Sequence, residues 1–221
     1  MPYFSQDFLD FFKELAANNH KDWFDENRKR YHKSVKTPFY KFLEDAIAEI
    51  QKVDPTIQIE PKHAAFRINR DIRFAKDKTP YKTNVSGIIS PDGKKDKTTP
   101  GIYMELSPEH FRIYGGVYML DKDQLYDLRD AISDNLEEFS RIISNKKFLK
   151  TYTEIRGEKN KRIDKEFREA AEIQPLIFNK NMYFFNSMAP ETVLKENLME
   201  IVMEHYHLGL PFSQFVRKHV K

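Results

Sequence analysis

No cysteine occurs among the 221 residues. Disulfides, thiol catalysis and cysteine-ligated zinc or iron–sulfur centres are therefore excluded. Glycine is scarce, at 7 residues. Neither a G-x-x-x-x-G-K-[ST] loop nor a G-x-G-x-x-G turn is present, so the usual nucleotide cradles are missing. A G-x-S-x-G nucleophile elbow is missing too. No run approaches the roughly 18 apolar residues of a membrane span, and the N-terminus lacks the basic start and apolar stretch of a signal peptide. The chain is expected to have no membrane partner and to reside in the cytoplasm, a reducing compartment that suits the absence of cysteine. Nothing in the sequence specifies an oligomeric state.

Aromatic residues are plentiful, with 18 Phe and 11 Tyr. They bury large areas and support a substantial core despite the 32% of charged residues. Ser5 reads as an N-cap, followed by Phe8, Leu9, Phe11, Phe12 and Leu15 at helical spacing. Asn18-Asn19 closes that helix. A second helix starts near Lys21 and carries Trp23, Phe24, Asn27 and Tyr31, of which Trp23, Phe24 and Tyr31 read as core aromatics. Pro38 opens a third, with Phe39, Phe42, Leu43, Ala46, Ile47 and Ile50 facing inward, and Asp54-Pro55 ends it.

The pattern then changes to alternation around Ile57 and Ile59, and again around Phe66 and Ile68. Val85–Ile89, Ile102–Leu106 and Phe111–Tyr118 read as strands of an antiparallel meander, and Ser90-Pro91-Asp92-Gly93 as a turn. A helix from Asp121 is expected to keep Leu125, Leu128, Ala131, Ile132, Leu136 and Phe139 on one face. Phe148–Glu172 reads as a polar stretch broken at Gly157, with one charged helix, and Met182–Phe185 as a last strand. Pro190 is expected to open a helix that Gly209 separates from a final one. The expected fold is α+β, with N-terminal helices, a central antiparallel sheet and C-terminal helices, in one domain over residues 1–221.

Net charge is only +3, but it is unevenly placed. Lys62, Arg67, Arg70, Arg73, Lys76, Lys78 and Lys82 face only Asp71 and Asp77 within their own segment. That local excess of +5 leaves −2 for the rest of the chain. The segment reads R-x-x-R-D-x-R-F-x-x-D-K-x-P-Y-K from Arg67 to Lys82. It resembles the signature of a mainly bacterial family, domain of unknown function 2461. Asn18-Asn19, Lys21-Asp22-Trp23-Phe24, Tyr31, Pro38-Phe39, Glu60-Pro61-Lys62, Pro100-Gly101 and Gly115-Gly116 fit the same pattern across nearly the whole chain. The resemblance implies an α+β domain of about this length, without an established activity or cofactor.

Chemically, arginine forks and lysine ammoniums suit a phosphate or carboxylate. The leading expectation is a site for a small anionic ligand built by Arg67, Arg70, Arg73, Lys76, Lys78 and Lys82. Tyr81 would act as a hydroxyl donor, and Asp71 and Asp77 would orient the arginines. A second reading uses the same patch, with Lys94, Lys95 and Lys97, as a nucleic-acid-binding module. A third makes Arg70–Asp71 and Asp77–Lys78 a structural ion-pair network, with function through a protein partner. A fourth places Asp54, Glu60 and Lys62 in a metal-dependent phosphodiesterase or nuclease-like enzyme. An extended strand from Phe66 to Phe74 would put Arg70 on its buried face, so the strand is expected to end near Asn69 and give way to an ordered loop. No cofactor or metal is expected. His205-x-His207 points to two helix faces, and the other histidines lack ligand spacing.

Overall fold

The computed structural model describes residues 1–95 and 98–220. Helix α1 (Gln6–Ala17) buries Phe8, Leu9, Phe11, Phe12 and Leu15. Ser5 occupies its N-cap with extended backbone, although its hydroxyl makes no capping bond. Helices α2 (Lys21–Glu26) and α3 (Arg28–Tyr31) follow. At the start of α2 the His20 ring caps through the Trp23 amide, which donates to Nδ1 at 3.3 Å. The chain then widens into a π-helical turn (His32–Lys36) before continuing into α4 (Thr37–Val53). One network braces this turn. Ser34 donates to Asp7 at 2.5 Å, while Arg30 reaches Asp7 at 2.7 Å and Glu14 at 2.6 Å.

Ile57 and Ile59 are not in a strand; instead Pro61 opens a single helical turn, α5 (Pro61–Ala64). Proline suits a first-turn position because that N–H has no helical partner. Strands β1 (Val85–Ile89), β2 (Ile102–Leu106) and β3 (Phe111–Val117) form the meander, and β4 (Met182–Met188) joins beyond β3. The antiparallel sheet has the order β1-β2-β3-β4. Between β1 and β2, Gly93 adopts φ +58°, and a Cβ there would meet the His63 carbonyl oxygen at 2.6 Å. At the end of β3, Gly116 has φ +109°, and a Cβ would lie 2.2 Å from the Met182 carbonyl oxygen. The β3–β4 pairing thus requires glycine.

Helix α6 (Lys122–Asp134) opens with a capping box. The Gln124 amide donates to Asp121, and the Gln124 side chain accepts from the Asp121 amide. The expected continuous helix is interrupted at Asn135, whose side chain donates to the Ala131 carbonyl, and α7 (Leu136–Ile143) starts anew. The polar stretch contains α8 (Lys146–Tyr152), capped by Asn145, and α9 (Arg168–Ile173).

Two expectations near the C-terminus are corrected. Pro190 opens only a 3₁₀ turn (Pro190–Leu194), and α10 (Leu198–His219) runs unbroken through Gly209 and Pro211. Its buried positions Leu198, Val202, His205, Tyr206, Phe212, Phe215 and Val216 keep helical spacing across the glycine. Gly209 itself packs against the Phe184 ring. Burial of that stripe outweighs the propensity of two poor helix formers.

The chain forms two compact units, residues 1–94, 103–113 and 187–203 in one, and 95–102, 114–186 and 204–221 in the other. The first has an aromatic core in which Phe8, Phe11, Phe12, Phe39 and Phe42 are buried. The second is built around Phe139, Phe148, Tyr152, Phe184, Phe212 and Phe215.

Candidate functional site

The basic segment belongs to the first unit and folds into a narrow arm. Phe66 donates to Ser86 at 2.9 Å, Lys82 to Ile68 at 2.8 Å and Arg70 to Pro80 at 2.9 Å, all through backbone groups. Isolated bridges pair Ala65 with Gly87 and Asn69 with Tyr81. The strand expected from Phe66 does not form: Asn69 makes only an isolated bridge, the backbone pairing ends at Arg70, and Asp71–Thr79 is a loop.

Side chains lock that loop. The Asp77 carboxylate accepts from the Thr79 amide at 2.9 Å and from the Thr79 hydroxyl at 3.0 Å, an Asx turn. The Arg70 guanidinium donates to Asp77, to the Thr79 hydroxyl and, at 3.1 Å, to the Thr79 carbonyl. Asp77 is consequently held down to about 2, first by the Thr79 amide and then by Arg70. Arg73 pairs with Asp71 through two bonds of 3.0 and 2.7 Å, which hold that carboxyl below its ordinary range. The Lys78 ammonium donates to the Ile72 carbonyl at 2.9 Å.

Tyr81 anchors the arm. Its ring is buried and stacks on Phe24 with centroids 4.0 Å apart and planes inclined by 17°. Burial raises its phenol pKa. Asn19 holds the Tyr81 backbone from both sides: its side chain donates to the carbonyl at 2.9 Å and accepts from the amide at 3.1 Å. Asn19 and Thr79 were missed in the sequence, although Asn-Asn at a helix end and Asp-x-Thr in a loop are their respective signals.

Both aspartates are thus engaged within the arm, while its other cations are less fully matched. Arg67, Lys76 and Lys78 are exposed and have no carboxylate partner among the described residues. Lys82 lies 5.5 Å over the Phe66 ring. Lys62 pairs with Glu60 at 2.6 Å. Lys94 is committed elsewhere: its ammonium caps α5 by donating to the Lys62 and Ala65 carbonyls at 2.7 and 2.9 Å. Lys95 is exposed, and Lys97 lies outside the described residues. At the loop tip, Phe74 is 96% exposed.

The other candidates occupy structural positions. Asp54 is buried and accepts from the Thr56 amide and hydroxyl. His205 is also buried, with Nε2 3.0 Å from the Asn186 side-chain nitrogen. Among the described residues, no group of three or more His, Asp and Glu is arranged to hold a metal ion. No helix among them is long and apolar enough to cross a membrane.

Helices before and after a four-stranded antiparallel sheet define an α+β protein, and its locked cationic arm is the feature that sets the site apart. The chain belongs to the family described as conserved hypothetical protein (DUF2461), whose model matches residues 7–215. No curated protein and no solved structure matches it.

Proposed function

We propose that the protein is a binding module whose arm grips the phosphate backbone of a nucleic acid through Arg67 and Lys76. The observation that carries this reading is the division of labour among the arm's charges. Asp71 and Asp77 are engaged by Arg73 and Arg70, and although the Asp71 carboxylate also feels the Arg67 charge, two carboxylates cannot balance the six cations between Arg67 and Lys82. Exposure of Arg67, Arg73, Lys76 and Lys78 favours a surface contact over an enclosing small-anion pocket. Arg70 and Asp77 then serve as the lock, in keeping with the structural reading of that pair.

Phosphate contacts release counterions, so affinity should fall steeply with salt. Fluorescence anisotropy of a labelled oligonucleotide over a salt series tests this. Arg67→Ala/Lys76→Ala should weaken binding to every sequence and reduce the log–log salt slope by about 1 to 2. Absence of oligonucleotide binding by the wild type at low salt would overturn the proposal.

A further inference from the structure

A phenylalanine at the tip of a floppy loop would be unremarkable, but Phe74 sits on a loop closed by several internal bonds. Asp77 closes an Asx turn, Arg70 clips it, Lys78 ties the far side to the Ile72 carbonyl, and Arg73 is fixed to Asp71. These contacts brace the loop from several sides, yet the ring makes almost no use of the protein surface, being 96% exposed. The Arg73 guanidinium lies 5.9 Å from the ring centroid, so the aromatic face and a cation are offered together. Lower on the arm, Phe66 is half-buried beneath Lys82 and packs edge-on against Tyr103, giving a second, more sheltered aromatic surface.

Exposing a large apolar ring to water is unfavourable, and a preorganised exposed ring is suited to binding. The occupant follows from the charge around it. Arg67 and Lys76 call for a polyanion, and a polyanion that also offers flat apolar faces is a nucleic acid with unpaired bases. A duplex keeps its base faces stacked internally, whereas a single strand presents them. We infer that Phe74 is a stacking wedge and that the arm's partner is single-stranded nucleic acid. This inference rests on the phosphate-backbone reading above and adds the class of strand. Stacking on one base contributes a sequence-tolerant gain of roughly 5- to 150-fold in affinity.

The experiment separates the two ideas. Anisotropy is measured with a labelled oligo-dT strand, the same strand annealed to its complement, and an abasic strand of equal length. Proteins are the wild type, Phe74→Ala, Phe74→Trp and Arg67→Ala/Lys76→Ala. Because the ring is exposed, Phe74→Ala should keep the wild-type melting temperature. It should lose about tenfold in affinity for oligo-dT, leave duplex and abasic binding unchanged, and keep the wild-type salt slope. Phe74→Trp should retain tight oligo-dT binding. If the charge variant weakens all three ligands while Phe74→Ala binds oligo-dT as the wild type does, the stacking inference fails and the backbone reading stands. An equal loss by Phe74→Ala on duplex and single strand also overturns the inference. If the wild type binds none of the oligonucleotides, both ideas fall. A ring that instead mediates self-association, or binding to anionic lipid vesicles without oligonucleotide binding, gives that same result.

Discussion

The Arg70 guanidinium crosses the loop to Asp77 and Thr79 and closes the arm on itself. Its partner carboxylate is 60% exposed, and pairs this wet contribute little to global stability. Arg70→Ala should therefore leave the melting temperature within about 4 °C of the wild type. Locally the effect should be large: the Thr79 amide loses its closed turn, and its hydrogen exchange should speed up by tenfold or more. A melting temperature that collapses would instead make the arm part of the fold's foundation. The charge excess makes this segment conspicuous in the sequence, and the misfit of Arg70 on a buried strand face argues for a loop beyond Asn69, although the structure forms only isolated bridges before it. It did not reveal which cations were engaged. Lys94 looks like a free lysine until the α5 carbonyls are seen beneath it, because that contact joins positions 29 and 32 residues apart. Tyr81 likewise reads as a donor beside arginines, and only its stacking on Phe24 reveals it as an anchor.

Among the elements, those with strong local signals were the most legible. Helix α4 has Pro38 in its first turn and an unbroken apolar face, and β1 and β2 have the residue limits their apolar runs suggest. Where a local breaker met a continuous buried stripe, the stripe prevailed. Gly209 lies in the interior of α10 against Phe184, and Pro211 is also inside the helix. Proline at an interior position removes a helix hydrogen bond and crowds the preceding turn, costing about 3 kcal/mol, partly offset by its stiffening of the unfolded chain. Pro211 is exposed, so its replacement leaves no core cavity. Pro211→Ala should stabilise the protein by about 1–2 kcal/mol, seen as a melting temperature higher by roughly 3–8 °C. An unchanged or lowered value would show that the ring does more at this position than interrupt the ladder.

Among the described residues, the carboxylates seen to be held below their ordinary range are distributed unevenly. Asp7 and Glu14 are held down by Arg30, Asp45 by Lys41, Glu60 by Lys62, Asp71 by Arg73, and Asp77 by the Thr79 amide and Arg70. All six lie in the first compact unit. Each binds a proton less readily when folded than when unfolded. The stabilisation it provides is complete above the ordinary carboxylate range and is lost as pH falls through that range, with Asp77 among the late groups at about 2. Acid should therefore attack the first unit directly. The division crosses the chain once in the connection between β1 and β2 and otherwise inside β2, β3, β4 and α10, each of which supplies residues to both units. Melting one unit alone would require those elements to break internally, which favours the chain unfolding as one cooperative domain. Hydrogen exchange followed through an acid titration from pH 5 to about 2 should show amides around Phe184 and Phe212 losing protection together with those around Phe11 and Phe42. Protection that persists around Phe184 after it has gone around Phe11 would show two separately stable units, and the single-domain reading of the sequence would fail.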